Sequence, residues 1–135
     1  MKIKSVLSFF LVMLFLQGCY GGRNSDRLNG QWICDARATL ELTAESKGMS
    51  ETQFEAGVAV LASMSLEIVG ATKTLILRVG PITETSTFTV NVEGRNRFLL
   101  ELTNASAIVE IKDKDTIWVT DSRSPGRTVV FKRQK

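Results

Sequence analysis

The residue types that carry out most protein chemistry are scarce in this sequence. The chain contains no histidine, which removes the commonest general base at neutral pH and the commonest metal ligand. Its only thiols are those of Cys19 and Cys34. Ser-His-Asp and Cys-His catalytic arrangements are therefore excluded, and the sequence lacks the soft ligands of a zinc or iron–sulfur site.

Carboxylates are the remaining candidates for chemistry. Asp113 and Asp115 flank Lys114 in a charged turn and offer oxygen atoms to a hard cation, but the further ligands of a calcium loop are missing. Glycoside hydrolysis needs two acids that face one cleft, and Glu101 and Glu110 lie on neighbouring predicted strands, where most acidic residues face water. We therefore expect a non-enzymatic protein with no catalytic residue, metal site or cofactor.

The N-terminal residues have the layout of a secretory signal. Lys2 and Lys4 precede an uncharged apolar run over 5–16, and the small residue Gly18 stands directly before Cys19. The run is shorter than the roughly 20 apolar residues that span a bilayer. This pattern predicts an export signal over residues 1–18.

The last residues of this leader, Leu16-Gln17-Gly18-Cys19, resemble the bacterial lipobox. The resemblance implies cleavage before Cys19, lipid attachment to its thiol and N-acylation, which together anchor a protein stably to a membrane. An unmodified cysteine after an ordinary signal peptide is the alternative. An Asp directly after the lipidated cysteine would resemble a signal for retention in the inner membrane. This chain has Tyr20 at that position, which favours the outer membrane. The expected location is therefore the cell envelope, lipid-anchored at the outer membrane and facing the periplasm.

The remaining chain is divided into a tether and one domain, with little net charge. Small polar residues make 19–29 a lipidated flexible tether, and 30–135 is long enough for one small domain. Loss of Lys2 and Lys4 lowers the formal net charge from +3 to +1, which argues against a nucleic-acid partner. The C-terminal segment is nevertheless basic. Its charges either favour contact with an anionic surface or, as we prefer, protect the edge of a solvated terminal strand. The basic residues are Arg123, Arg127, Lys132, Arg133 and Lys135.

Hydrophobic periodicity predicts a mainly β fold. Residues 30–42 alternate as one strand, with Trp32 and Cys34 on the buried face. Ser50-Glu51-Thr52-Gln53 has the form of a capping box and begins a helix that ends near Ala62. From Met64 onward, about seven short strands are separated by turns. The pattern predicts an antiparallel meander that forms a small barrel or strongly curved sheet, with one helix after the first strand.

Both ends of this domain resemble lipocalin-like bacterial proteins. The resemblance is carried by Gly30-Gln31-Trp32 in the first strand and Phe131-Lys132-Arg133 in the last. It implies that Trp32 packs across the floor of a barrel and that Arg133 lies over it. The helix after the first strand departs from the family, which usually places its helix after the strands.

Two functions follow as hypotheses. The first is a membrane-anchored module of the cell envelope that binds a lipid or a small apolar ligand inside the barrel. The second is an accessory lipoprotein that docks on an envelope protein complex, or inhibits an envelope-directed enzyme, through the basic C-terminal segment. In both, the acyl chains on Cys19 hold the protein at the membrane.

Overall fold

The computed structural model describes residues 26–124 and 127–135, apart from the side chains of residues 44 and 45. The predicted signal peptide and Cys19 lie outside the described residues. Eight strands, joined in sequence order, form a closed antiparallel barrel. Their bounds are β1 (Gly30–Cys34), β2 (Met64–Val69), β3 (Thr74–Val79), β4 (Ile82–Val92), β5 (Arg97–Leu102), β6 (Ser106–Asp113), β7 (Thr116–Asp121) and β8 (Thr128–Arg133).

The barrel closes where the first strand pairs with the last. Trp32 lies opposite Leu66 on β2 and opposite Arg133 on β8, and both pairings are antiparallel. Closure leaves β1 with a hydrogen-bonded neighbour on each side, so β1 and β8 do not present the exposed edges that they would have in an open sheet. The predicted mainly β meander is confirmed, and the barrel is the form that it takes.

The first strand is shorter than the sequence indicated. Strand β1 ends at Cys34, and residues 36–42 form helix α1 (Ala36–Leu42). The side chain of Asp35 caps this helix by accepting a hydrogen bond from the Ala38 amide at 3.2 Å. The prediction of a strand over 35–42 was therefore wrong, because alternation over seven residues also suits a helix that buries Ala36 and Leu40 on one side.

Helix α1 is fixed to the barrel through one hydroxyl group. The Thr39 side chain is buried and accepts a hydrogen bond from the Val130 amide at 2.9 Å. The Asp35 amide in turn donates to the Val130 carbonyl at 2.8 Å. The helix thereby covers the outward side chain of Val130, which is buried although it lies on the outside of β8.

A second helix, α2 (Glu51–Leu61), begins where the capping box predicts. The Gln53 amide donates to the Ser50 hydroxyl at 3.2 Å, and the Ser50 amide donates to the Gln53 side chain at 3.0 Å. The helix crosses α1 at Gly57, where an added Cβ would lie 3.0 Å from a methyl group of Leu40. Two α-helices, instead of the one expected, thus follow β1. Within the described residues, no helix is long and apolar enough to cross a membrane.

One end of the barrel, which we call the closed end, is sealed by residues that directly precede β1 and by residues at the end of β8. A 3₁₀ helix (Asp26–Leu28) places Leu28 in the core, and the Trp32 indole donates to the Leu28 carbonyl at 2.9 Å. The Arg133 guanidinium lies 4.2 Å from the centre of the Trp32 ring. It also donates to the carbonyls of Asn29 and Arg27 at 2.7 and 2.8 Å. The predicted contact between Trp32 and Arg133 is confirmed.

The closed end is also the basic end of the barrel. It comprises residues 26–29 and 134–135 and the turns after β2, β4 and β6. It also includes, on every strand that joins one of these segments, the two residues nearest to that segment. At the opposite, open end, the helices and the other turns carry a small acidic excess. Nine closed-end residues are basic (Arg27, Lys73, Arg95, Arg97, Lys112, Lys114, Lys132, Arg133 and Lys135) and four are acidic (Asp26, Glu93, Asp113 and Asp115).

Replacement of Trp32 by Phe tests the closed end. We expect the free energy of unfolding to fall by about 2–3 kcal/mol, because the change removes a buried hydrogen bond and part of a fully packed ring. Trp118 is half-buried, and Lys112 lies 4.3 Å from its ring centre, so Trp118→Phe is the matched control, with a loss below about 1 kcal/mol. Urea unfolding followed by far-ultraviolet circular dichroism measures both. Equal losses would contradict the role given to Trp32.

Candidate functional site

The open half of the barrel contains an apolar cavity. Residues of β2, β3 and β5–β8 line a volume of about 320 Å³ that is open to solvent at one end. Its floor is made of fully buried residues that also belong to the core: Leu66, Leu100, Val109 and Phe131. Its walls are half-buried and consist of Met64, Leu75, Leu77, Leu102, Val119 and Val129. A cavity with such a lining has few partners for water and favours an apolar occupant.

Polar groups are confined to the rim of the cavity. Ser106 and Asp121 lie there at the open ends of β6 and β7, together with Arg127 before β8. One Asp121 carboxylate oxygen accepts a hydrogen bond from the Arg123 amide at 2.9 Å, which fixes its orientation. An apolar interior with a few polar groups at its mouth suits a molecule that has an apolar body and a polar end.

A second hollow of about 330 Å³ adjoins the cavity on one side. The two share Leu75, Leu77, Leu102 and Ala105 in their linings, and the second adds the inward-facing Glu84 and Ser86. The hollow arises because residues 82–87 of β4 pair only with β3, whereas β5 pairs with residues 88–92. The barrel wall is therefore incomplete beside the cavity, which leaves space for a ligand longer than the cavity itself.

The carboxylates considered from the sequence do not form a site. Glu101 lies opposite Ser106 and Glu110 lies opposite Arg97, so the two glutamates do not face each other. Glu110 instead accepts from Lys112 at 3.1 Å and lies 3.5 Å from Arg97. The Arg97 pair joins β5 to β6, whereas the Lys112 pair lies within β6, and Glu101 and Glu110 do not converge on a cleft.

The charged turn between β6 and β7 stabilises itself. The Asp113 side chain accepts a hydrogen bond from the Asp115 amide at 2.9 Å, and this bond lowers the pKa of the Asp113 carboxyl. Asp115 points towards the Arg133 guanidinium at 3.9 Å. The two aspartates thus serve the turn and the closed end. Among the described residues, no group of three or more acidic or thiol side chains is placed to hold a metal ion.

The Cys34 thiol is buried inside the barrel, as its position in β1 predicts. Its sulfur lies 3.6 Å from the Thr39 hydroxyl oxygen. Burial raises the pKa of this thiol, and its hydrogen bond with Thr39 lowers the pKa by less than burial raises it. A thiol with little access to solvent and little thiolate at neutral pH is a structural side chain and not a nucleophile.

Comparison with known proteins adds no relative to this description. No protein-family model matches the chain, and a search of curated proteins found no similar sequence. The cavity is therefore the feature from which we infer function. The sequence pointed to it only through the apolar faces of β3 and β5, because alternation places Leu75 and Leu77 inside without saying whether other side chains fill the space between them.

The raised pKa of Cys34 predicts a loss of stability in alkali. Above the ordinary thiol value of 9.0, the unfolded chain releases the proton while the folded chain keeps it. The free energy of unfolding should therefore fall by up to about 1.4 kcal/mol per pH unit until the folded thiol also ionises. Urea unfolding between pH 8 and 11 measures this loss of stability in two proteins. One carries Cys19→Ser alone, and the other carries Cys19→Ser together with Cys34→Ala. Identical pH profiles for the two proteins would show that Cys34 ionises equally in both states.

Proposed function

We propose that the protein is a membrane-anchored, non-enzymatic lipoprotein whose barrel binds a lipid chain or another small apolar ligand. The observation that carries this proposal is the apolar cavity of about 320 Å³ at the open end. Eight-stranded barrels are either filled by their own side chains or hold one small ligand. Here the closed half is filled, by Trp32, Phe98 and Ile117 among others, whereas the open half is not.

The shape of the site favours a ligand with a slender apolar part. Leu100 and Val109 form a floor that is closed to solvent, so a ligand enters from the open end or from the hollow beside β4. Apolar groups gain roughly 25 cal/mol for each Å² of surface that leaves water. Arg127 at the rim offers hydrogen bonds to a polar end, such as the carboxylate or ester of an acyl chain.

The resemblance to lipocalin-like bacterial proteins supports the same function. The protein has the closed eight-stranded meander and the contact between Trp32 and Arg133 that the resemblance implies. In this interpretation Trp32 is structural, because it seals the end opposite the cavity. The helices between β1 and β2 are then an insertion at the open end that covers part of the outer wall.

Docking on an envelope protein through the basic C-terminal segment is the second candidate, and it has less support. Arg123 and Arg127 lie at the open end, whereas Lys132 and Arg133 lie at the closed end. Arg133 is further occupied by its contacts with Trp32 and three backbone carbonyls. The segment therefore does not form one continuous basic surface for a partner.

The proposed lipid anchor predicts that Cys19 carries the acyl chains. In a bacterial host grown with labelled palmitate, the protein should incorporate label and fractionate with membranes. Cys19→Ser should abolish both, and Cys34→Ser, which removes the other thiol, should change neither. Label that persists in the Cys19→Ser protein would place the modification elsewhere, and an unaltered protein that takes up no label would exclude it.

The proposed ligand site predicts that a large side chain in the cavity prevents binding. Ala107 points into the cavity, so Ala107→Trp should weaken binding of 11-(dansylamino)undecanoic acid, a fluorescent fatty acid, at least about tenfold. Ala71 is exposed in the closed-end turn after β2, so Ala71→Trp is the matched control and should bind normally. Fluorescence titration measures both, and mass spectrometry of the purified protein identifies any lipid it retains. An unmodified protein that binds no probe and retains no lipid would refute the proposal.

A further inference from the structure

Three turns at the closed end each present a basic side chain to solvent. Lys73 follows β2, Arg95 follows β4 and Lys114 follows β6, and all three are exposed. Among the described residues, none of the three has a carboxylate within 4.0 Å. None of the three is therefore in a salt bridge, unlike Arg97 and Lys112, which pair with glutamates on the barrel wall, although Lys114 stands between Asp113 and Asp115 in the chain.

The chain also enters the barrel at this end. The 3₁₀ helix that begins at Asp26 leads directly into β1 beside Trp32 and Arg133. Cys19 precedes Asp26 by seven residues, which span at most about 25 Å when fully extended. If Cys19 carries the anchor, as proposed above, the tether keeps the closed end nearer to the membrane than the open end.

We infer that the closed end is a membrane-docking surface that binds anionic lipid headgroups, so that the mouth of the cavity points away from the anchoring membrane. This inference rests on the proposed lipid anchor for the proximity of the bilayer, and on the charge of the closed end for the orientation. A Lys or Arg close to an anionic bilayer is attracted to it, and this attraction decays within about 8 Å at physiological salt. Lys73, Arg95 and Lys114 lie in the three turns at the same end of the barrel, so all three are on the side from which the chain enters β1.

The orientation decides where the ligand is exchanged. With the closed end on the headgroups, a ligand reaches the cavity from the aqueous side and not directly from the bilayer beneath. The rim residues Asp121 and Arg127 then face the aqueous compartment, or a soluble partner that delivers the ligand.

Binding to vesicles without the anchor tests the docking surface. We use the chain without residues 1–19, because all eight strands and the pairing of β1 with β8 lie within 30–133. It should co-sediment with vesicles that contain anionic phosphatidylglycerol and not with neutral phosphatidylcholine vesicles. Lys73→Gln together with Lys114→Gln should lower the partition coefficient about twentyfold at low salt. The matched pair Lys47→Gln and Arg123→Gln, exposed at the open end, should change it less than twofold.

The outcomes separate the surface from the overall charge and from the ligand site. Equal losses in the two double variants would show that net charge governs binding and would overturn the inference, as would failure of the unmodified barrel to bind anionic vesicles. Binding that weakens steeply from 20 to 200 mM salt supports docking without relying on any variant. The fatty-acid titration with Ala107→Trp and palmitate labelling of Cys19 are unaffected by these results, so each proposal fails separately.

Discussion

The structure depends on the pairing of β1 with β8 and on the side chains that seal the barrel beneath it. Trp32 and Arg133 are opposite each other in this ladder, and the cation–ring contact joins the two ends of the described chain. The same guanidinium satisfies the carbonyls of Arg27 and Asn29, which the 3₁₀ helix would otherwise leave without partners. One arginine thus holds the first strand, the last strand and the N-terminal segment in place, and the closed end follows from it.

Sealing one end determines the character of the other. Large side chains such as Trp32 and Phe98 fill the closed half, so the hydrophobic core is complete there. The helices that join β1 to β2 lie at the open end. Helix α1 packs its buried side against the outside of β8, where Thr39 bonds to Val130. The connection contributes Leu61 to the side chains packed against the core, but the cavity itself is lined by barrel-wall residues such as Leu77 and Val119.

The two ends of the barrel differ in charge and packing, and this difference places the proposed anchor and the cavity at opposite ends. Chain entry, basic turns and a filled core occur together at the closed end, whereas the cavity and its polar rim occur at the open end. A protein arranged in this way has one end suited to a charged surface and one end suited to an apolar ligand. The two features are about one strand length apart, so a change in Lys114 and a change in Ala107 are expected to act independently.

The sequence by itself determined the local features, because these depend on residues close together along the chain. The capping box at Ser50, the strand period after Met64 and the inward positions of Trp32 and Cys34 were all predicted from spacing and are confirmed. Residues 35–42 were assigned wrongly because seven alternating residues satisfy both a strand and a helix, and only the cap by Asp35 and the bond to β8 favour the helix.

Only the tertiary structure decided which side chains share a space. Alternation shows that Leu75 and Val129 point inward, but not that the volume between them is left open, since this depends on how eight strands tilt and close. The sequence likewise showed a basic C-terminal segment as one run, whereas β8 carries Arg127 and Arg133 to opposite ends of the barrel. Distance along a strand, about 3.3 Å for each residue, separates charges that are close in the sequence. The antiparallel order of the strands places Lys73, Arg95 and Lys114, which are far apart in the sequence, at the same end of the barrel.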